Sequence, residues 1–486
     1  MKRWNFSMKS LKASFTSRSF RAGGYSVAAA ALVIAIAVFV NIFVGALPGR
    51  YTQFDTTDQA LFTLSQQSES LVGALQEDVT IYWIVRSGYE ESYLGGLLDR
   101  YQAAGDHLRV VKKDPDVYPT FPDAYTDSYM ENSLVVVSGD RSRYVDYYDI
   151  FVMDYASYYY YGQSSWSFDG ESQITSAIDY VTRQDLPKVY TLSGHGEAEL
   201  STTFSTAVSA ENMEMEALYL LTQESVPADA DALLILTPQS DISADEAEKI
   251  RDYLGNGGKL LLITDPPKNG KLTNLEGLLA EYGVTAREGI VVEGDNSHYV
   301  WGTPYYLLPE LKSHTITTPL KEAGYRVLLP VSQGLTVSET LPENVTVTEL
   351  LTTSASAFSK LAGYELTTYE KEEGDAAGPF ALGVEITQEL DDGITAQILW
   401  FASGALVDDS SNSQASGGNQ DLFLNALNYL SGGEESSITI HAKSLDQQAL
   451  TMDSGTASVL TVLMLGLIPA AYLTVGIVIW VRRKRQ

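Results

Sequence analysis

Two uncharged apolar runs, one near each end of the chain, constrain this sequence more than any other feature. Ser26–Ala46 reads SVAAAALVIAIAVFVNIFVGA, and Ser458–Val481 reads SVLTVLMLGLIPAAYLTVGIVIWV. Each is long enough to cross a hydrocarbon core as a helix, which takes about 20 residues. They predict two transmembrane helices, over 26–47 and 458–481. Val44-Gly45-Ala46 has the small residues of a signal-peptidase site, but the run exceeds the roughly 7–15 residues of a signal core, so an uncleaved anchor is expected. Lys2, Arg3, Lys9, Lys12, Arg18 and Arg21 precede the first run without an acid among them, and Arg482, Arg483, Lys484 and Arg485 follow the second. Basic flanks stay on the cytoplasmic side. The expectation is a two-pass protein of the cell membrane, with basic cytoplasmic tails at 1–25 and 482–486 and a large extracytoplasmic part between the spans.

Charge follows that division. All 62 acidic residues lie between the spans, where they face 22 of the 32 basic ones, a net of −40. Such a surface repels polyanionic nucleic acid and suits a solvated extracytoplasmic domain. The chain has no cysteine. Disulfides, thiolate nucleophiles, a lipid-attachment cysteine and cysteine-ligated metals are therefore all excluded.

Between the spans the pattern is α/β. Leu71, Val72 and Leu75 share a helical face, with Asp78 as the expected stop, and VTIYWIV then reads as a strand. Leu94, Leu97, Leu98 and Tyr101 repeat at helical spacing, and LRVVKK (108–113) and SLVVVSG (133–139) read as further strands. This order gives a small α/β domain over 51–150. A Tyr-rich connector follows at 151–184, containing Tyr158–Tyr161, which cannot all be buried on one face of a strand. From 185 to 432 the chain predicts a second α/β domain with a doubly wound sheet. Its signals are PKVYTL as a strand, 201–222 as a helix, and ADALLILTP as an apolar buried strand. Ser243 and Glu246 then fit a capping box, Ala247, Ile250 and Leu254 form an inner stripe, Gly255 is the expected helix stop, and 260–264 is the next strand. The pattern weakens over 296–393, apart from RVLLPV; AQILWFAS, a polar loop over 407–420 and the helix DLFLNALNYLSG follow. The stretch 433–457 reads as a polar stalk.

SGHGE, Ser193-Gly194-His195-Gly196-Glu197, sits where a strand yields to a helix. Ligand crevices of doubly wound sheets open at such strand ends. A nucleophile elbow needs Ser between the glycines, where this chain has His195, and an amidotransferase elbow needs Cys. The nearest approach to a phosphate loop, Gly255-Asn256-Gly257-Gly258-Lys259, follows a helix instead of preceding one and runs on into Leu260, so no ATPase is encoded. His107, His195, His298, His314 and His441 are scattered; His195 and Glu197 offer two metal ligands without a third, and no metal or cofactor is expected. Asp408–Asn412 imitates a calcium loop, with Ser413 where the turn glycine belongs. Two readings of SGHGE stand. In one it is a tight turn, its glycines supplying positive φ and Glu197 favouring the N-terminus of the next helix. In the other, Ser193, Gly194, His195, Gly196 and Glu197 form a rim loop that binds a small polar ligand or a partner.

FDTTDQALFTLSQQSESLVGALQEDVTIYWI, GESQITSAIDYVTRQDLPKVYTLSGHGE, GGKLLLITDP and GNQDLFLNALNYL occur in that order. Together they resemble the GldG-like, gliding-motility-type auxiliary proteins of ABC transporters. The resemblance implies a non-catalytic membrane subunit working beside a separate ATPase and a multi-span permease. It also implies a thioredoxin-like first domain and a flavodoxin- or amidotransferase-like second domain without its nucleophile. The alternatives are an anchored surface hydrolase using His195 and Glu197 as acid and base, which requires a second carboxylate converging on that loop, and a cell-envelope scaffold.

Overall fold

The computed structural model describes residues 18–45, 55, 57, 60–154, 165–183, 185–268, 270–432, 440, 442–445, 464–465 and 468–484. Tyr158–Tyr161, His441 and most of the expected stalk at 433–457 lie outside the described residues. The chain divides into two units, Met1–Val152 with Asp169–Lys443, and Met153–Phe168 with Ser444–Gln486.

The first unit opens with helix α1 (Arg18–Gly45), which holds most of the first apolar run. Its described side chains, residues 29–42, are all exposed. Helix α2 (Gln66–Gly73) follows, capped by the Ser65 hydroxyl and ending at Gly73, short of the expected stop at Asp78. A four-stranded sheet comes next: β1 (Val79–Ile84), β2 (Leu108–Lys113), β3 (Ser133–Ser138) and β4 (Arg141–Val145), in the order β2-β1-β3-β4. β1 and β2 are parallel, as helix α3 (Ser92–Ala104) between them requires, and the other pairs are antiparallel. Leu94, Leu97, Leu98 and Tyr101 of α3 are buried, which is the stripe their spacing predicts. Helix α4 (Gly170–Thr182), from the stretch 151–184, packs on β3 and β4.

Strand β5 (Phe151–Asp154) spans the unit boundary at Val152; in the second unit lie strand β6 (Ser165–Phe168) and helix Ile468–Lys484, which covers the latter part of the second apolar run. Among the described residues, no helix is long and apolar enough to cross a membrane.

The larger sheet of the first unit starts from β7 (Lys188–Leu192), β8 (Glu214–Leu218), β9 (Ala232–Leu236) and β10 (Lys259–Ile263). Its order is β8-β7-β9-β10, then Thr395–Phe401, Ala381–Glu389, Leu335–Val337 and β11 (Val284–Ala286). The first five strands run parallel, and from Thr395–Phe401 outward every pairing is antiparallel. Val345–Thr352 also pairs with Ala381–Glu389. β9 is buried along its whole length, the condition of a strand covered on both faces. On one face lie helices α5 (Thr202–Ala210) and α8 (Gly418–Leu430), with Phe204 edge-on to Phe423 at 5.7 Å. On the other lie α6 (Ala244–Gly255) and α7 (Thr273–Glu281), contributing Ile250, Leu254, Leu275 and Leu279. Each such aliphatic side chain contributes roughly 1.5–3 kcal/mol through its removal from water.

Three local expectations are corrected. The helix expected over 201–222 stops at Ala210, and Glu214–Leu218 becomes the edge strand β8. The expected stop Gly255 is still helical; the left-handed residue that turns the chain into β10 is Gly257, with φ +86°. The polar loop around Asp408 contains a short helix, Asp409–Gln414, whose N-terminus is capped by the Asp408 carboxylate through the amide and hydroxyl of Ser411.

Candidate functional site

β7, β9, β10 and Thr395–Phe401 all end at one side of the sheet, and the chain leaves them through four short segments. Ser193–Glu197 follows β7. The Ser193 amide donates to Leu218 O at 2.9 Å, which ties the loop to β8, and the Ala198 amide donates to Leu236 O at 3.0 Å, which ties it to β9. Between those ties Gly194 (φ +126°) and Gly196 (φ +76°) turn the backbone. Gly196 is needed for two reasons: its left-handed φ, and a Cβ there would stand 3.2 Å from Gln239 Cβ. Gly194 has open space around it.

This turn points His195 inward. Its side chain is 6 % exposed. Nδ1 lies 2.9 Å from Glu197 Oε1, Nε2 lies 3.1 Å from Glu246 Oε2, and the His195 amide donates to Glu197 Oε2 at 2.7 Å. The His195 carbonyl accepts from the amides of Gln239 and Ser240 at 2.9 and 3.0 Å. Glu197 therefore turns back onto His195 instead of serving the next helix, whose cap is Ser201. The capping box of α6 is present, with Ser243 bonded to the Glu246 amide and the Glu246 carboxylate to the Ser243 amide. The same Oε2 that closes the box also meets the imidazole, while Oε1 has no hydrogen-bond partner among the described residues. One histidine thus joins the loop after β7 to the first turn of α6.

The protonation of the group follows from these contacts. Burial pulls the His195 pKa down, but the hydrogen bonds and charges of Glu197 and Glu246 outweigh it and hold the imidazole above its ordinary value. Burial pushes Glu246 up, but the Ser243 amide and hydroxyl and the His195 ring outweigh that and hold it below the usual carboxylate range. The two carboxylates meet opposite nitrogens of the ring, so they do not converge on a common point. Among the described residues no set of three His, Asp or Glu side chains is placed to hold a metal ion. The Ser193 hydroxyl donates to Thr191 O at 3.4 Å. Of the other histidines, His107 pairs with Asp78 at the surface, His298 sits near Asp295, and His314 Nε2 bonds Glu385 at 3.0 Å.

The neighbouring strand ends hold a group that spacing does not reveal. Asp265, after β10, accepts the Gly404 amide at 2.7 Å. Burial pushes its pKa up against that bond and the nearby Lys268. The backbone of Gly404 approaches so closely that a Cβ there would meet Thr237 at 2.6 Å and the Asp265 carboxylate at 2.7 Å. Thr237, after β9, holds φ +43°, a strained value for a β-branched residue. Tyr364 donates to Pro266 O at 3.1 Å and lies under Lys268 at 5.1 Å. The DPP sequence after a buried strand was the available signal for Asp265; the strain at Thr237 has none in sequence.

Comparison with known proteins gives the following. A family model described as "ABC-type uncharacterized transport system", an ABC-transporter auxiliary family, matches residues 186–426. A domain of unknown function (DUF7088) matches residues 58–152. No curated protein matches. Among solved structures, the mmIFT52 N-terminal domain is similar at 14 % identity and a TM-score of 0.37, covering 51 % of this chain and 98 % of its own. A ThuA-like protein from Bacteroides uniformis is similar at 13 % identity and a TM-score of 0.30, covering 53 % and 97 %. PurLQS from Thermotoga maritima is similar at 12 % identity and a TM-score of 0.25, covering 51 % and 100 %. With TM-scores this low, the fold rests on the strand order above and not on these likenesses. The matched segment 186–426 runs from β7 to α8 and includes SGHGE, Asp265 and Gly404, so the larger domain is what matches the ABC-transporter auxiliary family.

Proposed function

We propose that this protein is a non-catalytic auxiliary subunit of an ABC transporter, anchored by its two apolar runs, with its acidic body outside the cytoplasmic membrane and a separate ATPase and multi-span permease as partners. The family match over 186–426 carries the reading. In support, the strand order of the larger sheet fits an amidotransferase-like domain in which the nucleophile position holds His195, and the β2-β1-β3-β4 sheet with α3 and α4 fits a thioredoxin-like domain in a chain without cysteine. Both nitrogens of His195 are engaged by carboxylates, so it acts as a joint between two elements. SGHGE then serves as the rim of the crevice through Ser193, Gly194 and Gly196.

The test is recovery of the tagged full-length protein from native membranes in mild detergent, with partners identified by mass spectrometry. Co-purification of an ABC ATPase and a multi-span permease is expected. A protein recovered repeatedly without either would overturn the reading.

One observation favours the hydrolase alternative. Glu246 brings a second carboxylate to His195, although it meets the opposite ring nitrogen from Glu197 and is fully buried. In that case His195→Ala abolishes an activity detectable on glycan or peptide substrates, whereas the auxiliary reading expects it to alter stability alone.

A further inference from the structure

A cavity of the first unit lies away from the strand-end crevice. It is an open cleft of about 770 Å³, within the size range of small-molecule sites. One wall is the start of α2, where Ser65, Gln66 and Gln67 line it; the other is the loop and short helix over 313–323, where Ser313, Thr315 and Thr318 line it. His314 stands between them. Its Nε2 bonds Glu385, which also accepts the Tyr429 hydroxyl at 2.6 Å, so the ring is fixed from behind. Among the described lining residues there is no lysine or arginine, and the one carboxylate is Glu322.

We propose that this cleft binds a neutral, polyhydroxylated ligand of mono- to disaccharide size. The inference rests on the proposed function, with this subunit handling a substrate for the transporter. Hydroxyl and carboxamide groups both donate and accept, which matches the mixed donor and acceptor character of sugar hydroxyls. An anionic ligand would meet Glu322 and an acidic body, with no compensating lysine or arginine among the described lining residues. A peptide bound by strand addition needs an exposed strand edge, and the lining residues belong to the start of α2, a loop and the short helix Thr318–Ala323.

The α2 wall is held in place by a second set of contacts. Glu171 Oε1 accepts the Ser65 amide and, at 3.0 Å, the Ser68 hydroxyl, and Glu171 Oε2 pairs with Lys443 Nζ at 2.9 Å. Lys443 also donates to Ala60 O and Thr63 O, each at 2.9 Å. Lys443 is not a lining residue, yet it fixes the carboxylate that fixes Ser65.

The experiment is saturation-transfer NMR on the full chain in lauryl dimethylamine oxide, a detergent without sugar, using maltose, N,N′-diacetylchitobiose and a Ser-Gly-Ser peptide as probes. At least one sugar is expected to bind with millimolar affinity and the peptide not at all. Gln66→Trp, an exposed position whose indole would fill the cleft, is expected to weaken binding at least tenfold with an unchanged circular dichroism spectrum, and Lys443→Met to weaken it several-fold. The proposal is overturned if neither sugar binds, if the peptide binds instead, or if Gln66→Trp binds the sugar as the unaltered chain does. Transporter partners recovered together with no sugar binding would overturn this inference and leave the proposed function standing.

Discussion

His195 meets two carboxylates across a 6 %-exposed imidazole, and removing it leaves Glu246 buried with Ser243 as the remaining hydrogen-bond partner of its carboxylate. Breaking a buried charged contact from one side costs about 3–5 kcal/mol. His195→Ala is therefore expected to destabilise the larger domain by about 3 kcal/mol, measured by denaturant unfolding. The pH dependence has two limbs. The folded pKa of His195 is raised, so its contribution is complete below the unfolded value near 6.5 and is lost as pH rises through the folded value. The folded pKa of Glu246 is lowered, so its contribution is complete above the unfolded value near 4.5 and is lost as pH falls through the folded value. Stability from this joint should therefore be greatest between about pH 4.5 and 6.5, and thermal melts of His195→Ala from about pH 4 to 9 should lack that maximum. Spacing placed Ser243 and Glu246 in a capping box correctly. It could not show that the same carboxylate meets a histidine 51 residues away, since that contact exists only once β7 and α6 are packed on the sheet.

At the scale of elements, the segment after SGHGE separates local from tertiary determinants. Residues 201–222 are rich in helix formers, yet the helix stops at Ala210 and Asn212 takes φ +56°. The Asn212 side chain explains the break: it donates to Ser176 O at 2.9 Å and Asp179 Oδ2 at 2.8 Å, and accepts from Arg143 at 2.6 Å. These contacts hold the turn, and the open edge of β7 takes Glu214–Leu218 as a parallel strand. Asn212→Ala should cost about 2–3 kcal/mol by combining left-handed strain with buried groups left unpaired. Asn212→Gly should cost less, because glycine retains the φ, and urea melts of the two variants separate the two effects. By contrast, Ile250 lies on the inner stripe that helical spacing identified and is fully buried. Ile250→Ala is expected to cost about 2–5 kcal/mol in the same measurement. The long strands Val345–Thr352 and Ala381–Glu389 fall in the stretch where the sequence pattern weakens: the first buries only its last three residues in a row, and the second carries Gly383 and Glu385 inside its buried run.

For the molecule as a whole, Lys443 and Glu171 join parts of the first unit that are 272 residues apart in sequence. The ammonium also holds the carbonyls of Ala60 and Thr63, so one cation fixes the entry to α2, the start of α4 and the end of the first unit. Lys443→Met should accelerate hydrogen exchange of the amides over 60–68 and 170–176 while leaving β9 and β10 protected, as read by mass spectrometry. Protection unchanged at Ser65 and Ser68 would show that the contact holds nothing. The motifs FDTTDQALFTLSQQSESL and GESQITSAI, which carry part of the family resemblance, meet at this point: Ser65 and Ser68 from the first, Glu171 and Thr175 from the second.

The sequence alone determined the α/β class, the apolar terminal runs, the buried strand β9, the inner faces of α3 and α6, and the lack of any cysteine chemistry. All of these follow from local composition and periodicity, which a strand or helix expresses before it packs. Only the tertiary structure decided that His195 faces inward between two carboxylates, that Asp265 lies against the backbone of Gly404, and that residues 214–218 form a strand. Each depends on groups far apart in the chain being brought within hydrogen-bond distance, and the free energy of those contacts exceeds the weak local preferences from which the sequence is read.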